Sequence, residues 1–189
     1  MKIVRCIGGL GNQMFQYAFY KSLESRYSDV KFDVSPLKNY KTHNGFELLK
    51  VFSINFCSPS FTEKISLSFR SGGFIFRLLR HIYKKNRAKE YIEKGLYYQE
   101  DALLTGGNSY YIGYWQSWKY FKDIEKRIKR DFSFDEKLLP LSNREILSKI
   151  RNTNSVSIHI RRGDYIGNSI YDNIATSDYY LSLIHISEP

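Results

Sequence analysis

Adjacent arginines are costly to hold together unless an anion lies between them, and the chain carries such a pair at Arg161 and Arg162. Guanidinium forks match phosphate oxygens in bidentate fashion, so the first ligand to consider is a phosphate or diphosphate. The pair sits within Ser-Val-Ser-Ile-His-Ile-Arg-Arg-Gly-Asp-Tyr, from Ser155 to Tyr165. By the two-residue repeat of a strand, Val156, Ile158 and Ile160 share one face, and Ser155, Ser157, His159 and Arg161 share the other. Gly163 lets the chain turn away at once, which leaves the arginines at the carboxyl end of a strand, where open α/β sheets place their ligands. The competing reading is a strand-end arginine held by Asp164 as a structural ion pair.

Two other stretches carry suitable chemistry. Near the start, Lys2 to Ile7 reads as a buried strand, followed by the turn Gly8-Gly9-Leu10-Gly11. Asn12 is placed to cap a helix reaching about Tyr27, with Phe15, Ala18, Phe19 and Leu23 on its inner face. Val30 to Val34 then reads as a second strand, so the first domain is expected to be α/β with a parallel sheet. A glycine-rich turn between strand and helix suits phosphate, and Asp33 stands where a ribose-binding acid would lie, which gives a dinucleotide-binding alternative. That pattern is incomplete, because Met14 occupies the third glycine position counted from Gly9. In the middle of the chain a strand over Tyr110 to Tyr114 delivers Trp115 and Gln116 at its end. Aromatic faces stack on sugar C–H surfaces and amides bind hydroxyls, so these two suit a glycan.

The elements between are less informative. A short apolar helix is expected around Phe46 to Phe52, helical pieces from Phe61 to Arg87, and a short strand from Lys89 to Glu93. Amphipathic helices are expected over Trp118 to Lys129 and Ser142 to Ile150. His43 reads as a loop residue, with a cleft-facing histidine as the alternative.

With 189 residues, 42% hydrophobic and 25% charged, the composition is globular. No window approaches a membrane span, and the N-terminus lacks the apolar core and cleavage site of a signal peptide, so a cytoplasmic protein is expected. Cys6 and Cys57 support neither a disulfide scaffold nor a zinc site, and Cys6 reads as a buried hydrophobe. The net charge of +10 favours anionic partners. It is concentrated between Arg70 and Lys94, where Arg77, Arg80, Lys84 and Lys85 alternate with apolar residues. That segment reads as a solvated helix face or as a basic helix lying on anionic lipid, and a nucleic-acid or membrane-surface binding module is the rival from another class.

His159-Ile160-Arg161-Arg162-Gly163-Asp164-Tyr165 resembles the His-x-Arg-Arg-x-Asp-Tyr signature of the bacterial α-1,2-fucosyltransferases, glycosyltransferase family 11. Gly8 to Ala18 resembles the opening of that family, and Gly113 to Ser117 with Tyr120-Phe121 resembles its middle. The resemblance implies a two-lobed GT-B fold, with a Rossmann-like acceptor-side lobe over residues 1–150 and the start of the donor-binding lobe over 151–189. It implies inverting transfer of L-fucose from GDP-fucose to the 2-hydroxyl of a galactoside on an oligosaccharide or surface polysaccharide. Arg161 and Arg162, with Asn12 and Gly11, would face the donor diphosphate. Gln13, Trp115 and Gln116 would face the acceptor glycan, and His159 would orient the loop or contact the donor. Asp164 would hold the arginines or accept a proton, and the general base stays open between Asp164 and a residue of the second lobe. No Asp-x-Asp pair offers a metal site, which fits a metal-free enzyme without a cofactor. Partners are then GDP-fucose and an acceptor glycan, with peripheral membrane contact and no nucleic acid. Family members run further, so the chain is expected to be C-terminally truncated. A helix opens at Thr176 to Tyr180 and is expected to stop abruptly at Leu181. Ile184 to Pro189 reads as translated adapter sequence, and His185 is given no mechanistic role.

Overall fold

The computed structural model describes residues 1–38, 44–68, 90–160 and 176–186. His43, most of the basic segment, and Arg161, Arg162, Gly163, Asp164 and Tyr165 lie outside the described residues. The chain forms two compact units, Met1–Lys137 and Leu138–Pro189.

The first unit is built on a four-stranded, wholly parallel sheet of order β2-β1-β4-β3, with β1 Lys2–Arg5, β2 Val30–Asp33, β3 Glu90–Ile92 and β4 Ser109–Ile112. Its register pairs Ile3 with Tyr110 and Val4 with Tyr111. Strand alternation sends these pairs to opposite faces, and the packing follows: Val4, Phe32 and Tyr111 join one core, while Ile3, Tyr110 and Ile112 join another with Leu67. A parallel sheet needs both faces covered. Helix α1, Leu10–Glu24, covers the first face, and α3, Phe61–Leu67, brings Leu67 to the second.

Helix α1 is enclosed to an unusual degree, since every residue from Gln16 to Leu23 is buried. The core around it is aromatic. Phe19 stacks on Trp115 with ring centres 4.2 Å apart and an interplanar angle of 8°, and meets Tyr111 and Tyr120 edge-on. Aromatics are 16% of the chain, and among the described residues many of them form this core. Two short helices, α2 Leu48–Val51 and α4 Asp101–Leu104, complete the layer.

Several expectations are corrected. The cap of α1 is Gly9, not Asn12, because Gln13 N–H already bonds the Gly9 carbonyl at 3.0 Å and draws the helix start three residues earlier. The single helix expected over Trp118 to Lys129 is two. A 3-10 segment, Trp118–Ile124, is broken at Phe121 and followed by α5, Glu125–Asp131. Tyr120 is drawn into the core beside Trp115, which fixes the first piece against the direction of the second.

In the second unit, α6 spans Leu141–Arg151 and α7 spans Ser177–Ile186, so α7 continues past the stop expected at Leu181. Residues 155–160 form no strand. Their alternation is intact, but they pair with no other strand among the described residues. Val156, Ile158 and Ile160 are accordingly 80%, 53% and 55% exposed, so neither face is buried. Cys6 is buried as expected, Cys57 is exposed, and both are free. No helix among the described residues is long and apolar enough to cross a membrane.

Candidate functional site

The loops leaving the carboxyl ends of the two central strands, β1 and β4, lie side by side, and an open α/β sheet binds its ligands at such an edge. The first loop is the turn into α1. Gly8 has φ +83°, a left-handed conformation that favours glycine, and a Cβ there would press on the Asn12 amide at 2.6 Å. Three amides of α1 then reach out in different directions.

Gln13 is fully buried. Its Nε2 donates to the carbonyls of Gly8 at 2.9 Å and Gly45 at 2.8 Å, and its Oε1 accepts Glu47 N–H at 2.9 Å. One side chain therefore ties the first turn to the loop before α2, and in this structure it has no group turned toward a glycan. Gln16, one turn on, accepts Ile7 N–H at 2.9 Å and donates to the Gly113 carbonyl at 3.1 Å, clamping the two edge loops together from beneath. Asn12 points outward: its Oδ1 accepts Nε2 of Gln116 at 2.6 Å, closing an exposed amide bridge between the loops above. A buried amide below and an exposed one above define the rim.

The second loop is held by an acid that the sequence reading did not single out. Glu93, just past β3, accepts Tyr114 N–H at 2.6 Å and Trp115 N–H at 3.2 Å from each carboxylate oxygen. Gly113 makes room for it, since a Cβ at 113 would stand 2.6 Å from both Cβ and Oε2 of Glu93. Trp115 adopts φ +57°, a left-handed conformation that is rare for a bulky residue. Its indole is fully buried against Phe19, and Nε1 has no hydrogen-bond partner. Trp115 thus offers no face to a sugar here. It turns the backbone so that Gln116 emerges exposed, with Tyr114 38% exposed beside it. An acid after an edge strand and 22 residues before its partner leaves no local sequence signal, which is why Glu93 was missed.

Gly11 is the second residue of α1. It is exposed, a Cβ on it would meet nothing within 4 Å, and its φ lies outside the left-handed range. Nothing among the described residues requires glycine there. Arg5, the last residue of β1, is partly buried and has no ion-pair partner among the described residues. Asp33 is not open to a ribose: it is buried, Oδ1 accepts both the backbone N–H and the hydroxyl of Ser35 at 3.1 and 2.6 Å, and Oδ2 accepts the Tyr110 hydroxyl at 2.7 Å. His159 belongs to the second unit and is exposed. Among the described residues, no group of three or more His, Cys, Asp or Glu could hold a metal ion.

A family model described as Glycosyl transferase family 11 matches residues 1–183. The chain is 35% identical over 188 residues to an Alpha-1,2-colitosyltransferase of Escherichia coli, an alignment covering 96% of this chain and 62% of that protein. It is 30% identical over 202 residues to an O-antigen biosynthesis glycosyltransferase, WbnK, of Escherichia coli, covering 96% of this chain and 66% of that one. The chain therefore spans less than two thirds of the length of these curated relatives. No solved structure matches.

Proposed function

The chain belongs to glycosyl transferase family 11, and from that premise we propose that it takes part in inverting transfer of L-fucose from GDP-fucose to the 2-hydroxyl of a galactoside on an oligosaccharide or surface polysaccharide. The observation that carries this reading is the family match over residues 1–183, which takes in the basic stretch from His159 to Tyr165 as well as both edge loops.

The physical task is to stabilise a departing diphosphate whose charge grows as the sugar becomes oxocarbenium-like. Fixed cations aimed at that charge lower the barrier without reorganisation. In this reading Arg161 and Arg162 hold the diphosphate, His159 orients that loop or contacts the donor, and Asp164 holds the arginines or accepts the acceptor's proton. The second unit begins the donor-binding lobe of a GT-B fold. Gly11 leaves the first turn of α1 bare for close approach of the donor, and Asn12 flanks it. The acceptor hydroxyls bind at the exposed Asn12–Gln116 rim, whose two amides supply both donors and acceptors. Gln13 and Trp115 serve by supporting that rim. Peripheral contact with an anionic membrane through the basic segment belongs to the same proposal.

A second reading concerns the donor alone. The 35% identical relative is named for colitose, so a colitosyl nucleotide competes with GDP-fucose as the natural substrate. The test is to incubate the chain with each nucleotide sugar and a panel of β-galactosides, following GDP release and the linkage of the product. An α-linked product on the 2-hydroxyl with one donor preferred supports the reading. GDP release that no galactoside accelerates, or transfer to another hydroxyl, overturns it.

A further inference from the structure

We propose that Glu93 is a positioning residue for the acceptor: its carboxylate holds the Tyr114 and Trp115 peptides in the left-handed turn that aims Gln116 across the sheet edge at Asn12. The inference rests on the acceptor reading of the rim given above.

Four observations converge on it. Both oxygens of Glu93 are engaged by two successive backbone N–H groups of one turn, at 2.6 and 3.2 Å. Bonds to an ionised acceptor are shorter and stronger than those between neutral groups, so this pair fixes the turn more firmly than ordinary loop contacts would. Among the described residues Glu93 makes no ion pair, and the bonds its carboxylate accepts are those of this turn. Gly113 lacks the Cβ that would collide with Glu93, so the sequence leaves room for the acid at the one place where it must approach. Finally, the conformation being held is one that a tryptophan rarely adopts, and strained turns persist only where surrounding contacts over-determine them. Here those contacts are the Glu93 carboxylate on one side and the Phe19 stack on the other.

The consequence is geometric. Gln116 is the residue after the strained turn, and its amide meets Asn12 at 2.6 Å only while the turn is held. Release of Glu93 lets the peptide at Trp115 relax, and the two rim amides lose their fixed spacing for a sugar's hydroxyls. A neutral amide keeps one acceptor oxygen and sets an NH₂ donor against the Trp115 N–H that Oε1 accepted, so Glu93→Gln removes the charge and opposes the turn at nearly constant volume.

The experiment compares wild type, Glu93→Gln, Gln116→Ala and the double variant by backbone amide hydrogen exchange, and by the Kd for methyl β-galactoside and for GDP. In Glu93→Gln, exchange at Tyr114 and Trp115 is expected to speed up about tenfold or more while Tyr110 and Tyr111 in β4 stay protected. The galactoside Kd is expected to rise about fivefold with the GDP Kd unchanged, and Glu93→Gln is expected to add nothing once Gln116 is Ala. Unchanged exchange at Trp115 overturns the inference whatever the glycan does. So does a galactoside loss that adds fully to that of Gln116→Ala, because the acid would then act independently of the rim. Faster exchange together with a wild type that binds no galactoside overturns the acceptor reading instead.

Discussion

Nε2 of Gln116 donates to Oδ1 of Asn12 at 2.6 Å across 104 residues of sequence, joining the loop after β4 to the first turn of α1 at the carboxyl edge of the sheet. The contact is exposed, so it contributes little to stability, and the groups making it are free to exchange one another for a ligand. The Gln16 clamp beneath it holds the same two loops and keeps the rim in place when the upper amides part.

Asn12→Ala and Gln116→Ala should therefore leave unfolding midpoints nearly unchanged, by about 0.5 kcal/mol or less in stability, since both act at the surface. Each should raise the acceptor KM about fivefold, the value of one hydrogen bond near 1 kcal/mol. Steady-state kinetics with varied galactoside at saturating donor reads the effect. A change in donor KM alone for Gln116→Ala would place that residue elsewhere in the reaction.

Gln13→Ala should behave in the opposite way. Its amide serves two carbonyls and one N–H in a buried setting, and removal strands all three partners. The expected cost is about 3 kcal/mol, measured by urea unfolding of the first unit's transition. A loss under about 1 kcal/mol would show that water replaces the amide freely and that the clip is not structural.

Gly11→Ala separates stability from binding. Alanine fits the space, the backbone angle is ordinary, and replacing glycine within a helix gains about 0.5–1 kcal/mol. Thermal unfolding should rise while affinity for GDP-fucose falls about tenfold or more, because the added methyl obstructs close approach to the turn. A stabilised variant with unchanged donor affinity would remove Gly11 from the donor site.

The acid limb of the stability profile should follow Glu63. The Lys31 ammonium, with the Ser60 backbone N–H and hydroxyl, holds its carboxyl down to about 2 from an ordinary value of 4.5. A depressed carboxyl contributes stability that is complete above its unfolded value and is lost as pH falls toward its folded one. The contribution should vanish between about pH 4.5 and 2. Glu63→Gln should flatten that part of a plot of Tm against pH, and salt should weaken the effect because the pair is near the surface. An unchanged acid limb in Glu63→Gln would assign the loss to other carboxylates, Glu24 foremost. Burial pushes the Glu24 carboxyl up, but Tyr20, Lys21 and Arg127 outweigh it and hold the group below its ordinary value.

The sequence made some of this legible and left the rest hidden for physical reasons. Strand alternation and flanking glycines located β1, β2 and β4 to within a residue or two, because those signals are local. The start of α1 was misplaced because a good capping residue, Asn12, lay two positions inside the helix, where its amide is recruited by Gln116. That choice is made by tertiary packing. Gln13 and Trp115 looked like ligand-facing residues because amides and indoles suit sugars, yet here both are enclosed. Burial of a polar side chain depends on partners such as Gly45 and Glu47 that no spacing rule identifies. Glu93 was invisible for the same reason. At 155–160 the alternation was real, but a strand is a pairwise object, and the pattern names one member without its partner.

The most direct test of the central claim is the Kd of the chain for GDP-fucose, by calorimetry, in wild type and Arg161→Ala. Saturable binding in wild type that weakens at least about a hundredfold in Arg161→Ala, with thermal unfolding unchanged, is the predicted result, since a bidentate guanidinium on phosphate is worth roughly 3 kcal/mol. Equal affinity in the two proteins would contradict the assignment of the diphosphate to that arginine, and with it the reading of this chain's basic stretch as a nucleotide-sugar site.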